Sequence, residues 1–521
     1  MEYFNNLATT TKLTTEMLLQ TQHREYLRKL LSTRDCIDII PKFDKPRYKF
    51  VNLMCFVCKY SSPEVITFFS DEILKIDMCD RNYLYPIHYL CKYSTPDIIK
   101  FFIENGMKIN VSDRYHKKPL HYICQYSTTE MIKYFIDRGI CLNDRDHCGR
   151  EPIHYACQYG DLEAVKYFVK KNVNLECIDK YNRKPIHYAC KYLKKDIIKY
   201  LLEQGVDLNH VDCEDRLPLH YICRKQIPKE IITNMIDNTE HLDIVDKLGN
   251  TPIHYLCRFS QIDYVKYILN RECGIDICDK NHIFPLGRMA MRNISHMTKY
   301  MIDKYDDDEI LTYCAHEIIK YSSPECIEYL LRRDIDLYYI DSSNETLLSH
   351  AITYSTSEIV KHMIDRGADV NDWNGCGHTA IYYAIKHSLE MVEYITQVGA
   401  DLDHKPYHNQ SPIIYACRFS NENIIKYLID HVKDLNCIYI DNDRQHNYYE
   451  KWRPIFYLCN RQLYDMIYYI IEKGVDLNCQ DEENKFPVDY IADPDVVEYV
   501  KMNMELQQRT RMPKSARKII N

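Results

Sequence analysis

A block of about 33 residues is written repeatedly along this chain, and that period constrains the fold more than any other feature. Pro86, in the string YPIHYLCKYS, marks one position in the block. Its equivalents are Pro119, Pro152, Pro185, Pro218, Pro252 and Pro285, at steps of 33, 33, 33, 33, 34 and 33. A period in the range of roughly 20 to 50 residues means stacked supersecondary units, each burying its apolar face only against its neighbours. The slot continues in weaker form as Leu53 before Pro86. After Pro285 it runs through Cys314, Leu347, Ala380, Pro412, Pro454 and Pro487. About fourteen repeats over roughly residues 40–500 follow.

Within a repeat, the position three before the marker holds Gly149, Asn182, Asp215, Gly249, His282, Asn344, Gly377, Asn409 or Asn484. These residue types tolerate positive φ and predict a tight turn. The proline suits the first turn of a helix, where its missing N–H costs nothing. A short helix follows, then an amphipathic one such as DIIKYLLEQG at 196–205. Ser61/Glu64, Ser94/Asp97, Ser127/Glu130 and Ser322/Glu325 fit capping boxes opening the second helix. Gly106, Gly139, Gly205, Gly367 and Gly474 fit left-handed caps closing it.

The strings KPIHYAC (184–190) and TPIHYLC (251–257) resemble the ankyrin signature T-P-L-H-x-A, and LLEQGVDLN and MIDRGADVN resemble the ankyrin ending of the second helix. The Tyr-, Asn-, Ile- and Lys-rich texture is similar to that of ankyrin-repeat proteins from large DNA viruses. The resemblance implies an all-α ankyrin solenoid of helix-turn-helix units with hairpin fingers, and a protein-binding role without catalysis. The signature His is replaced by Gly287, Ser349, Tyr382, Ile414, Phe456 and Asp489 in six repeats. Irregular steps suggest an organisation: an N-terminal helical cap (1–40), a first sub-array (41–302), a second sub-array (303–492) and a C-terminal helix with a basic tail (493–521). The step of 29 before Cys314 loses a hairpin beside Asp306, Asp307, Asp308 and Glu309, and predicts a kink near 303–313. The step of 42 before Pro454 extends one finger at 437–453.

Composition narrows the function. A formal net charge of −8 gives no global basic field to attract nucleic acid. No apolar run is long enough to span a bilayer, and the N-terminus lacks a signal-peptide core. Nine of the 23 cysteines occupy one slot five residues after the marker: Cys58, Cys91, Cys124, Cys157, Cys190, Cys223, Cys257, Cys417 and Cys459. There they read as small buried hydrophobes, in keeping with an intracellular, reducing compartment. His and Cys also form recurrent H-x-x-C pairs, from His88/Cys91 to His254/Cys257. Packed helices sit about 8–10 Å apart, too far for two such pairs to share a zinc ion unless their side chains turn inward together. Phosphate-loop, dinucleotide and H-E-x-x-H motifs are missing. No catalytic residue, metal ligand or cofactor is assigned.

Binding is therefore expected on exposed ridges. The slot six after the marker is often basic, as at Lys59, Lys92, Lys191 and Arg258, and the next is often aromatic, as at Tyr60, Tyr93, Tyr126, Tyr159, Tyr192 and Phe259. Stacked in register, they predict adjacent basic and aromatic stripes on the inner wall. Aromatic and Arg side chains dominate interface energetics. Tyr448, Tyr449 and Trp452 on the extended finger form a second candidate, while Trp373 is expected to pack within a turn. The expectation is a monomeric scaffold with a protein partner and no membrane. The alternative is a nucleic-acid binder using the basic-aromatic ladder.

Overall fold

The computed structural model describes residues 55–511, apart from 56–57, 60–62, 69, 75–78, 81–82, 260–261, 272, 407–409 and 444–447. The N-terminal helical cap expected over 1–40, Tyr60, Asn409 and the basic end of the tail lie outside the described residues. Two compact bodies are present, one ending at Asn281 and the other beginning at His282.

Each body is an all-α solenoid of helix pairs separated by fingers. The repeat at 146–171 shows how sequence dictates the unit. Asp146 opens the finger: its Oδ1 accepts the N–H groups of Cys148 (2.8 Å) and Arg150 (2.9 Å). Gly149 adopts φ +77°, and a Cβ there would sit 2.9 Å from the Lys180 nitrogen of the next finger. The same slot is left-handed at Tyr83, His116, Asn182, Asp215, Gly249, His282, Asn344, Gly377 and Asn484. Pro152 then starts the helix Pro152–Tyr159, and Asp161 caps the second helix, Leu162–Lys170, accepting the Ala164 N–H at 2.9 Å. Successive fingers are tied by backbone bonds, as from Lys180 N–H to the Cys148 carbonyl (2.8 Å) and from Cys213 N–H to Tyr181 (2.8 Å). All nine marker-plus-five cysteines are buried.

The expected capping boxes do not form, and the second helices open one residue later. Ser94, Ser127 and Ser322 close the first helix through their own N–H groups, to Leu90, Ile123 and Ile318. The second helices are entered from Thr95, Thr128 and Ser323. Only two residues separate the helices, so the serine is already committed to ending the first one. Ser61 lies outside the described residues.

In the C-terminal body, the short step before Cys314 is taken up by one helix of 14 residues, Asp308–Tyr321, entered from Asp307. The preceding helix ends at Ile302, and Tyr305 is buried in the connector between them. Arg333 reaches back to this connector, donating to the carbonyls of Ile302 (3.2 Å) and Tyr305 (2.9 Å) and pairing with Asp308 at 2.6 Å. The long step before Pro454 becomes a two-stranded antiparallel hairpin, Tyr439–Asp443 with Tyr448–Trp452, in which Tyr439 pairs with Trp452 and Asp443 with Tyr448. The C-terminal helix runs Pro494–Arg511.

Candidate interaction surface

Two side-chain ladders hold the first helices and fingers in register. The first is made by histidine. In the N-terminal body the backbone N–H before each marker donates to Nδ1 of the His two after it: Tyr85 to His88 (3.0 Å), Lys118 to His121 (3.1 Å), Glu151 to His154 (3.0 Å), Lys184 to His187 (3.1 Å) and Leu217 to His220 (3.0 Å). Nδ1 is thus the acceptor and Nε2 carries the proton. That proton goes to the next finger, from His154 to the Arg183 carbonyl (3.2 Å) and from His220 to Asn250 (3.1 Å). Burial pushes these imidazoles down, His187 and His220 to about 4, so they are neutral bridges. Tyr382, standing in the His slot, does the same work: its hydroxyl donates to the Gln410 carbonyl at 2.8 Å.

The second ladder went unread in the sequence. Three residues after the marker a tyrosine donates to the finger aspartate nine residues earlier: Tyr89 to Asp80 (2.8 Å), Tyr122 to Asp113 (2.7 Å), Tyr155 to Asp146 (2.7 Å), Tyr188 to Asp179 (2.6 Å), Tyr221 to Asp212 (2.5 Å) and Tyr255 to Asp246 (2.5 Å). The signal was available as an Asp/Tyr pair at fixed nine-residue spacing. Burial opposes ionisation of Asp146, but the Tyr155 hydroxyl, the Arg150 N–H and the Arg150 guanidinium outweigh it and hold the carboxyl below its usual range.

On this frame the +6 and +7 slots emerge side by side. Tyr93, Tyr126, Tyr159, Tyr192 and Phe259 are each 41–46 % exposed in the N-terminal body. Tyr321, Tyr354 and Phe419 are likewise exposed in the C-terminal body. The basic neighbours lie against these rings. Lys92 Nζ is 5.1 Å from the centroids of both Tyr93 and Tyr126, in successive repeats, and Lys59 Nζ is 5.8 Å from Tyr93. Lys191 is 5.9 Å from Tyr192, Arg258 is 5.9 Å from Phe259, and the Tyr159 and Tyr192 rings are 6.3 Å apart. Beside them, two residues before the marker, Arg150, Arg183 and Arg216 are fixed on buried carboxylates: Asp146 (2.9 Å), Asp212 (3.2 Å) and Asp246 (3.3 Å). The row is interrupted at Lys225, whose ammonium donates to the Lys191 carbonyl (2.8 Å).

A profile of ankyrin repeats, three copies long, matches residues 53–146, 142–212, 205–281, 311–406 and 404–481. The chain belongs to the ankyrin-repeat family. No curated protein matches this ankyrin chain significantly. Ankyrin repeats are generally protein–protein interaction modules and typically not catalytic. Among the described residues, no helix is long and apolar enough to cross a membrane.

The two tryptophans of this ankyrin array are placed differently. Trp452 is half-buried, with its ring centroid 4.8 Å from Tyr457 of its own repeat and 5.4 Å from Tyr490 of the next, so it packs between two repeats. Tyr448 and Tyr449 lie on the second strand of the hairpin. Trp373, expected to pack, is 55 % exposed and stacks one face on His404 at 6.3 Å.

Proposed function

We propose that the chain is a non-catalytic scaffold or adaptor that grips a protein segment carrying acidic and apolar side chains along the stripe from Lys92 to Phe259. The observation that carries this reading is the row of half-exposed aromatic rings, with cations beside Tyr93, Tyr126, Tyr192 and Phe259, on helices that the histidine and tyrosine ladders tie to the fingers. Ordered aromatics lose little entropy on binding, and the basic residues select for acidic partners. The hairpin finger at 437–453 supplies a second contact in this proposal. The viral texture of the sequence supports an intracellular host protein as the partner, bound by a monomeric array.

Quantitative co-purification should compare the parent with a Tyr126→Ala/Tyr159→Ala/Tyr192→Ala variant and with a hairpin deletion, followed by calorimetry on any purified partner. The stripe variant should lose at least about tenfold in affinity, since hot-spot aromatics contribute about 2 kcal/mol or more. Unchanged affinity in both variants refutes the reading. The nucleic-acid alternative predicts oligonucleotide binding that falls steeply with salt.

A further inference from the structure

The tyrosine–aspartate ladder is rewritten at one place in the C-terminal body. Three residues after Leu347 stands His350 rather than tyrosine, and its Nε2 lies 3.3 Å from Oδ2 of the finger aspartate, Asp341. The other oxygen, Oδ1, is already held by the N–H groups of Ser343 (2.8 Å) and Glu345 (2.9 Å), which fixes the carboxylate. From the preceding repeat comes His316, 3 % exposed, whose ring stands edge-on to that of His350 with centroids 4.8 Å apart. One nitrogen from each ring and one Asp341 oxygen all lie within 4.8 Å of one another.

Both imidazoles are also under-satisfied. Nδ1 of His316 and Nδ1 of His350 are buried without a hydrogen-bond partner. The cause at His316 is structural. In the N-terminal body the matching Nδ1 accepts the N–H of the helix-capping residue three before it. Here the helix Asp308–Tyr321 has already begun, so the equivalent residue, Tyr313, lies inside it. The Nε2 proton of His316 goes to the Glu345 carbonyl (3.1 Å), which leaves Nδ1 with a lone pair and no donor. Burial lowers both imidazoles, with the facing His350 adding to the effect at His316, so neutral rings are favoured.

We propose that His316, Asp341 and His350 form a binding site for a first-row divalent cation of the zinc class, clasping two successive repeats. Two neutral imidazoles and one carboxylate are the donor set that zinc, cobalt(II) and nickel(II) share, and are poorly matched to calcium or magnesium. At zinc–ligand distances near 2.0–2.1 Å, tetrahedral ligand atoms stand about 3.3 Å apart. The His350–Asp341 pair already has that separation, and His316 needs to close by roughly 1.5 Å, within the reach of ring rotation. Asp341 keeps 18 % of its side chain exposed, which leaves a route for the ion and a water ligand. The clasp falls where the array has lost a finger, joining a repeat's long first helix to the finger and helix that follow.

The test uses the full chain with its accessible thiols blocked by alkylation under native conditions, titrated with zinc by calorimetry and with cobalt(II) by absorption. The expected result is one ion per chain, a cobalt spectrum without thiolate charge-transfer bands, and a higher melting temperature with zinc. Two variants copy solutions already present in this chain and so protect the fold. His350→Tyr restores the tyrosine–aspartate pair, and His316→Tyr imitates Tyr382. Each should weaken zinc binding by at least about tenfold, with metal-free melting close to the parent's. Absence of stoichiometric binding in the thiol-blocked parent, or unchanged affinity in both variants, overturns the proposal.

Discussion

Arg333 donates through Nη2 to the backbone carbonyl of Tyr305, 2.9 Å away and 28 residues earlier in the chain. With its second bond to Ile302 and the ion pair to Asp308, this guanidinium fills the role of the finger missing from the step before Cys314. Arg333→Ala removes donors from two carbonyls at a site about 29 % exposed, and should cost roughly 1–3 kcal/mol. Hydrogen exchange should accelerate at 303–311 while the helix Leu347–Tyr354 is spared. Lysine cannot span both carbonyls as the planar fork does, so Arg333→Lys should rescue only part of the loss. Uniform acceleration along the body contradicts this local role.

Tyr155→Phe leaves the buried Asp146 carboxylate one donor short. A loss of about 1–2 kcal/mol is expected in urea denaturation. Tyr188→Phe should behave alike, because Asp179 is held in the same way. Tyr126→Phe, at an exposed position, should be nearly neutral. Equal effects at positions 155 and 126 count against the ladder.

Acid should weaken the N-terminal body before its carboxylates titrate. His88, His121, His154, His187 and His220 all have lowered affinity for protons in the folded chain, chiefly through burial. Below the unfolded value near 6.5 the unfolded chain takes up protons that the folded chain refuses, so stability falls as pH drops. The decline from His187 and His220 runs from about 6.5 to about 4, with a ceiling of roughly 3 kcal/mol each. Depressed carboxylates such as Asp146 and Asp212 add a separate loss beneath about pH 4. Urea midpoints measured across this range should decline above pH 4.5, less so in a His187→Tyr/His220→Tyr variant. A flat profile down to about pH 4.5 contradicts the assignment.

Thiol labelling should split the cysteines by place in the repeat. Cys141 and Cys376 are exposed and should react first with an alkylating reagent. Cys124, Cys157, Cys190 and Cys223 are buried, and burial drives their thiols up, away from the reactive thiolate. They should react only as the array unfolds. Peptide mapping by mass spectrometry decides the order, and early labelling of Cys157 refutes the buried slot.

The period revealed the helix pairs, the left-handed slot from Gly149 to Asn484, the buried cysteines and the exposed +7 row, because each repeats with the backbone and needs only local chemistry. What escaped was relational. Tyr155 reads as one more aromatic until Asp146 is seen beneath it, and the serines read as opening the second helix instead close the first. His316 and His350 sit 34 residues apart in different slots, so only the stacking of two repeats brings them together. The long finger gave its length in the sequence, while its strand pairing depends on cross-strand bonds that no periodic pattern announces.

The ladders imply an order of assembly. Tyr155 finds Asp146 nine residues back, His154 reaches Arg183 only 29 residues on, and even Arg461, bonding to the Cys417 carbonyl, spans 44. A nascent chain leaving the ribosome therefore has the partners for each repeat at hand almost as soon as that repeat emerges. Such a protein can be laid down course by course, like masonry, without waiting for its far end.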